Sequence, residues 1–274
     1  MVSADDPQIR ERVRALTRSV ADRAVVTFRS AVRPIYGATK NGRPEHIGSS
    51  VLVEISGRRC LVTAAHVLDH GAVTTLYVGG TTELLELRGD FGATIAPNGD
   101  RSKDHHDFAF GELPSAVVEG LTGLRFIEEA EISSSDPLGN SLYFTAFGYP
   151  CSKNKGARNA GLKIMGQPYQ YSSVHRFKPM LAASLDISGD NHIFVDYQKY
   201  ARDEAGRKSA TISPRGLSGG AVLEAADFSD RDVLLGRREP VPKLAGVVIE
   251  LYREHHTLLA TSFASIVTTV KGHF

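Results

Sequence analysis

The chain has few cysteines and no long apolar segment, and these absences exclude several classes of protein. Its two cysteines, Cys60 and Cys151, are far apart and outside any CxxC spacing, which excludes a disulfide framework or zinc knuckle and favours a reducing compartment. No run of about 18 apolar residues occurs, which excludes an ordinary membrane span. The segment 1–25 mixes acids with arginines and lacks the apolar core of a secretory signal. We therefore expect a soluble, cytoplasmic protein.

An excess of charge of one sign is also lacking. The 274 residues include 32 Lys plus Arg and 31 Asp plus Glu, without a long block of either sign. Such an even mixture does not steer polyanions or anionic surfaces to a protein. We expect no nucleic acid and no membrane as partner, and no cofactor.

Short segments of β type dominate the sequence after residue 25. Runs rich in Val, Ile, Thr, Phe and Tyr are separated by Gly, Pro, Asn and Asp, a pattern typical of an all-β sandwich or barrel. Apolar residues at helical spacing predict a helix over 6–22 that packs on the body, and 262–271 is predicted as a short terminal helix. Representative predicted strands cover 49–55, 59–63, 107–113, 141–147, 192–197, 219–224 and 243–250.

A polar segment over 127–140 is the candidate linker between two halves, because it ends in Pro-Leu-Gly-Asn. The predicted division is a helical extension over 1–24, a first half over 25–130 and a second half over 131–274. The stretch 151–176 carries several glycines and basic residues and is predicted to include a mobile surface loop.

The most informative motif is Gly216-Leu217-Ser218-Gly219-Gly220, which is followed by an apolar strand. A serine among glycines suits an exposed nucleophile, because the backbone turns tightly and leaves room for a substrate carbonyl. Gly216 allows its N–H to point inward beside that of Ser218, so that two donors face a developing oxyanion. Taken alone, the motif also fits a simple glycine-rich hairpin, and it fits a phosphate loop poorly because no Lys-Ser/Thr pair follows.

Two further residues are candidates for partners of Ser218. His66 follows an apolar strand and two small residues, Ala64 and Ala65, which let other segments approach it; a lone histidine of this kind is also common as a core or surface residue. Asp107 begins an alternating strand, where its carboxylate can be held at a sheet edge toward an imidazole. The other acids between His66 and Ser218 that we considered lie in turn-like or charged surroundings and are expected to be solvated; they are Asp69, Asp90, Asp100 and Asp104.

These motifs together resemble the chymotrypsin family, particularly its bacterial trypsin-like and Deg-like members. The resemblance covers about 45–265 and consists of the order His, Asp, Ser, the Thr-Ala-Ala-His string, the strand after Asp107, the Phe-Gly-Tyr-Pro turn at 147–150 and Gly-x-Ser-Gly-Gly. It implies an all-β fold of two six-stranded antiparallel barrels with the active site between them. It also implies a serine endopeptidase with Ser218 as nucleophile, His66 as general base, Asp107 orienting the histidine, and the amides of Gly216 and Ser218 as oxyanion hole.

The sequence departs from the secreted members of this family in two places. Leu217 stands where members activated by cleavage carry an aspartate, so we expect any gating to come from a regulatory protein partner, an oligomer or a loop movement. Ile212, followed by Ser213, stands where trypsin carries its acidic specificity residue, so we expect an apolar or small residue before the cleaved bond. Ile249, Glu250 and Leu251 are predicted to pair with the substrate, although Glu250 also fits a solvated edge residue.

Further interpretations of the sequence concern metal binding, the two cysteines and alternative functions. The runs Asp104-His105-His106-Asp107 and His255-His256 contain metal-ligand residue types, but neighbouring strand side chains point to opposite faces, and we expect no metal. Both cysteines are expected to behave as small buried hydrophobes. The main alternative function is a catalytically silent two-barrel module that binds peptides or scaffolds a complex. An esterase with the same three residues is a further alternative.

Overall fold

The computed structural model describes residues 7–81, 83–134, 142–154, 166–202 and 207–274. Within these ranges the helices are α1 (Pro7–Phe28), α2 (Ala65–Leu68), α3 (Ser115–Gly120), α4 (Pro179–Leu185), α5 (Arg231–Leu234) and α6 (Phe263–His273). None of them combines the length and the apolar character that a membrane-spanning helix requires.

The strands, numbered along the chain, form two large antiparallel sheets and one small ribbon. The first sheet contains β1 (Val32–Ala38), β2 (Pro44–Ile55), β3 (Arg58–Ala64), β4 (Tyr77–Gly79), β5 (Leu84–Glu86), β6 (Phe91–Ala93), β7 (Phe108–Glu112) and, in parallel beside β2, β8 (Ile127–Glu128). The second contains β9 (Leu142–Gly148), β10 (Tyr169–Val174), β11 (His192–Asp196), β14 (Ala221–Asp227), β15 (Lys243–Tyr252) and β16 (Thr257–Ser262). The ribbon consists of β12 (Tyr200–Arg202) and β13 (Lys208–Ala210).

The order of strands shows how far each sheet closes on itself. The first sheet runs β5-β4-β1-β2-β3-β7-β6, and its outer strands do not pair with each other in the described part of the chain. The second runs β10-β9-β14-β15-β16-β11, and a single bridge between His175 and Val195 links its two edges. The predicted predominance of antiparallel β-structure with a helix at each end is confirmed. Two closed six-stranded barrels are not seen among the described residues, where the first sheet has eight strands and its outer strands do not pair.

Alternation of side chains explains why several strands are apolar without interruption. In β2, Val51, Val53 and Ile55 join the largest core cluster, whereas Leu52 points to the opposite face and joins a second cluster within the first sheet. Both faces of this strand are therefore buried. The largest cluster also receives Leu223 of β14, so it connects the two sheets.

The terminal helices cover this shared core. Val20, Ala24 and Phe28 of α1 are buried at a spacing of four, and Phe263, Ile266 and Val270 of α6 pack into the same cluster. Helix α1 ends at Phe28 rather than at the predicted residue 22, and the first strand begins at Val32. The strand-like residues from Val25 to Phe28 belong to the helix, because packing of Phe28 overrides their local preference.

Two sequence predictions concern segments that are only partly described. The predicted linker 127–140 contains β8 and a short turn through residue 134, and its remainder lies outside the described residues. The stretch 151–176 includes strand β10, so its last part is regular structure and not a loop. The middle of that stretch also lies outside the described residues.

Candidate active site

A cavity of about 420 Å³ lies where residues of the two sheets meet. His66 and Asp107 reach it from the first sheet, and Ser218, Ile249 and Glu250 reach it from the second half. The three residues that the sequence selected as one group, although far apart in the chain, therefore line one space.

His66 and Asp107 are joined by two hydrogen bonds. The Nδ1 atom of His66 lies 2.6 Å from Oδ2 of Asp107, and the backbone N–H of His66 donates to Oδ1 at 2.9 Å. A carboxylate only accepts, so Nδ1 carries the hydrogen and Nε2 is left as the proton acceptor of the neutral ring. This arrangement is the one that a general base held by an acid requires.

The point at which β3 ends and α2 begins determines the position of His66. The strand stops at Ala64 and the chain turns directly into α2, whose first amide, that of Ala65, donates to the Asp107 carbonyl at 3.1 Å. Asp107 thus contacts the entry of α2 through its backbone and through its side chain. Small side chains at 64 and 65 permit this close approach.

Asp107 itself adopts an uncommon backbone conformation. Its φ is +40°, in the left-handed region that non-glycine residues rarely adopt, and only 6% of the residue is exposed. The Asp104 carboxylate accepts hydrogen bonds from the backbone N–H groups of His106 and Asp107, at 3.2 and 3.0 Å. These contacts hold the turn that aims Asp107 at His66.

The expectation that Asp104 is solvated is wrong. The residue is 8% exposed, its carboxylate accepts from the Thr94 hydroxyl and from Arg101, and Arg101 also pairs with the half-exposed Asp69. The charged residues around Asp104 in the sequence suggested that its side chain is exposed to solvent. In the folded protein the Thr94 hydroxyl and the Arg101 guanidinium satisfy this carboxylate instead. No local signal in the sequence distinguishes Asp104 from a surface acid.

Opposing effects act on the protonation of His66. Burial lowers the pKa of the imidazole, but the hydrogen bond and the charge of Asp107 outweigh it, with smaller contributions from Glu250 and Asp69. The net result is a pKa above the ordinary histidine value. The site therefore favours the imidazolium that forms when a base accepts a proton.

Ser218 lies in a tight turn between two glycines with positive φ. Gly216 has a φ of +93° and Gly219 one of +82°, and a Cβ on Gly219 would lie 2.0 Å from the Ser49 carbonyl oxygen. Only glycine fits at that contact. The Ser218 hydroxyl faces the cavity and donates to the Ile249 carbonyl at 3.2 Å.

The amides of Gly216 and Ser218 have no acceptor among the described residues, whereas their neighbours in the turn are paired. The Leu217 N–H donates to the Pro214 carbonyl, and the Gly220 N–H donates to that of Leu217, each at 2.7 Å. Two unpaired N–H groups beside a cavity-facing hydroxyl are the donors that an oxyanion hole requires.

Behind Gly216 lies a His-Cys contact that the sequence did not indicate. The Nδ1 atom of His46 is 3.4 Å from the Sγ atom of Cys151, and a Cβ on Gly216 would come within 2.9 Å of both side chains. Burial lowers the pKa of His46 to about 4 and raises that of the Cys151 thiol. Cys60 is fully buried, as expected, whereas Cys151 is only half-buried, so the prediction of two buried hydrophobes is correct for Cys60 alone.

Four of the five candidate substrate-binding residues line the cavity: Ser213, Ile249, Glu250 and Leu251. Ile212 does not, and its carbonyl accepts a hydrogen bond from the Tyr197 hydroxyl at 2.7 Å. The lining also includes residues that the sequence reasoning missed, which come from separate turns and strands: Arg101, Arg215, Arg253 and Leu258. Across the described ranges, no three His, Cys, Asp or Glu side chains are grouped as metal ligands would be.

Comparison with known proteins finds similarity at the level of structure. No family model and no curated protein matches the sequence. The apo form of the MamO protease domain from Magnetospirillum magneticum is 16% identical, with a TM-score of 0.45, over 89% of this chain and 97% of that one. The serine protease domain of the Sesbania mosaic virus polyprotein is 12% identical, with a TM-score of 0.46, over 86% of this chain and 90% of that one. These similarities are too distant to assign a role to any residue.

Proposed function

We propose that the protein is a serine endopeptidase that forms an acyl-enzyme on Ser218. The observation that carries the proposal is that the bonded His66–Asp107 pair and Ser218 line one cavity, and that the amides of Gly216 and Ser218 have no acceptor in the described part of the chain. Each component supplies one requirement of acyl transfer: a base, a nucleophile and oxyanion donors.

The proposed reaction begins with a rotation of the Ser218 side chain. The hydroxyl turns from the Ile249 carbonyl toward Nε2 of His66, which accepts its proton as Oγ attacks the peptide carbonyl. The N–H groups of Gly216 and Ser218 stabilise the oxyanion, and Asp107 stabilises the imidazolium. His66 then protonates the leaving amine, and water releases the acyl group by the reverse sequence of proton transfers.

The cavity lining supports an apolar or small residue before the cleaved bond. Ile249, Leu251 and Leu258 contribute apolar surface, beside the charged lining residues Arg101, Arg215, Arg253 and Glu250. In this proposal the first and second halves, 25–130 and 131–274, correspond to the two barrels of the chymotrypsin family, with 1–24 as an extension. A cleavage-site library that showed strict selection for Lys or Arg would contradict the apolar preference.

Labelling with a fluorophosphonate probe tests the nucleophile. We expect stoichiometric labelling of the wild-type protein, located at Ser218 by peptide mass spectrometry, and none of Ser218→Ala. The Ser102→Ala variant is the matched control, because Ser102 lines the same cavity but its hydroxyl bonds to Asp100. Equal labelling of the wild type and Ser218→Ala would reject the assignment.

Substrate assays separate the endopeptidase from the two alternatives. New protein termini in a lysate treated with the wild type, but absent with Ser218→Ala, would support an endopeptidase. Turnover of esters without new termini would support an esterase. An unlabelled protein that still binds peptides would support the silent module. Leu217 is fully buried in an apolar cluster and cannot provide an ionic trigger. If a regulatory protein partner gates the activity, labelling of the isolated protein should be weak and should increase when the partner is added.

A further inference from the structure

The turn that carries Asp107 is held from the second sheet as well as from its own. His192, in β11, has no exposed surface, and its Nε2 atom lies 2.9 Å from the carbonyl oxygen of His105. The hydroxyl of Thr261, in β16, donates to the next carbonyl, that of His106. Two strands distant in sequence therefore reach the two residues before Asp107.

These contacts complete a set that fixes two successive peptide planes. The Asp104 carboxylate accepts from the N–H groups of His106 and Asp107, as described above. His192 and Thr261 contact the carbonyls at the other ends of the same two peptide groups. Because each plane is held at both ends, the backbone entering Asp107 has little freedom to rotate. That rotation sets the φ of +40° and thus the direction of the carboxylate.

His192 also connects the Asp107 turn to a further segment of the second half, before β11. Its other ring nitrogen, Nδ1, lies 3.1 Å from the Ser188 carbonyl, and its ring packs against that of His106 with centroids 4.9 Å apart. The side chain does not line the cavity. His192 can therefore affect the reaction by positioning the Asp107 turn, but not by contacting the substrate.

We propose that His192 is a positioning residue for the proposed hydrolysis. Burial lowers the pKa of His192, which favours the neutral ring with a single N–H. In this role the hydrogen is on Nε2, the nitrogen with the shorter contact, and it donates to the His105 carbonyl. The bond fixes the Asp107 carboxylate against His66 and makes this alignment depend on correct docking of the two sheets. The inference rests on the proposed function, but the geometry on which it acts, the Asp107–His66 hydrogen bond, is measurable without turnover.

Two substitutions separate this role from simple packing. The side-chain N–H of glutamine superimposes on Nε2 of histidine, and that of asparagine superimposes on Nδ1. His192→Gln therefore retains the donor toward the His105 carbonyl, whereas His192→Asn has a donor only toward the Ser188 carbonyl. We expect near wild-type kcat for His192→Gln and a loss of about 10- to 100-fold for His192→Asn, with KM little changed, because small misplacements of catalytic groups cost rates of this order.

The decisive readout is the pKa of His66, followed by NMR titration of the histidine ring in a Ser218→Ala background. We expect His192→Asn to lower this pKa, because Asp107 moves away from the imidazole while Glu250 and Asp69 remain, and His192→Gln to leave it unchanged. Thermal unfolding of both variants provides the control for folding. If the His66 pKa is the same in both variants, or if kcat follows the unfolding temperature alone, the proposal is wrong. If the fluorophosphonate fails to label the wild type but the pKa shift is found, the proposed function fails and the positioning role stands.

Discussion

At the scale of single residues, the site depends on charges that favour the protonated form of His66. Asp107 is the dominant partner, and Glu250 contributes a smaller attraction from the opposite wall of the cavity. A base must be neutral to accept a proton, so activity is lost as the pH falls through its pKa. Since the pKa of His66 is raised, the acid limb of kcat/KM should lie above the ordinary histidine value of about 6.5.

Substitution of Glu250 tests this electrostatic balance. We expect Glu250→Gln to move the acid limb to lower pH by less than about one unit, because a single nearby charge is removed while Asp107 remains. The measurement is the pH profile of kcat/KM. Glu254→Gln makes the same change of charge at an exposed position and should leave the profile unchanged. An acid limb that does not move with Glu250→Gln, or that moves equally in both variants, would contradict the prediction.

The sequence was sufficient to group His66, Asp107 and Ser218, which the structure brings to one cavity, because each lies at a strand end or in a glycine turn. Their catalytic roles stay a prediction. The sequence was not sufficient for Asp104 or His46. These residues contact partners that only folding provides, the Thr94 hydroxyl just after β6 and the thiol of Cys151. Their neighbours in the chain give no sign of these contacts.

At the scale of elements, α1 is a structural part of the shared core. Phe28 is fully buried at its end, and the guanidinium of Arg125 stacks over the ring at 5.0 Å while donating to the Thr27 carbonyl. The last four residues of α1, 25–28, are of types that favour strands, so the sequence pattern predicted an earlier end for the helix. The longer strands were predictable from their apolar runs, whereas a strand of two residues such as β8 has no period of its own.

Truncation of Phe28 should therefore destabilise the whole molecule. We expect Phe28→Ala to lower the free energy of unfolding by about 3–5 kcal/mol, the range for large aromatic side chains removed from a core. Val26, 69% exposed on the same helix, is the matched control, and Val26→Ala should change stability by no more than about 0.5 kcal/mol. Denaturant unfolding measures both. Similar values for the two variants would mean that α1 does not anchor the core.

At the scale of the whole molecule, the first sheet contacts the second half of the chain at Ser218. The Ser49 N–H in β2 donates to the Ser218 carbonyl at 2.8 Å, and the Ser49 hydroxyl donates to the Gly216 carbonyl at 2.8 Å while accepting from the Tyr149 N–H. These bonds join residues a hundred or more positions apart, and no local pattern predicts them. The turn with the two proposed oxyanion donors is consequently held by the first sheet, although it belongs to the second half of the chain.

This junction predicts that Ser49 affects catalysis and stability together. Ser49→Ala leaves the buried Gly216 carbonyl and Tyr149 N–H without this partner, so the free energy of unfolding should fall by about 1–3 kcal/mol. We expect kcat to fall at least about tenfold, but by less than the roughly 100- to 1,000-fold that loss of an oxyanion donor costs.

The adjacent Ser50 provides the comparison that separates the two effects. It is equally buried, but its hydroxyl donates to the Arg33 carbonyl inside the first sheet, at 3.2 Å. Ser50→Ala should lower stability by about 1 kcal/mol without changing kcat, because no bond to the nucleophile turn is lost. Urea unfolding and steady-state kinetics on the two variants measure both quantities. If Ser49→Ala retains wild-type kcat, or if Ser50→Ala loses as much, then the first sheet does not hold the oxyanion donors in place.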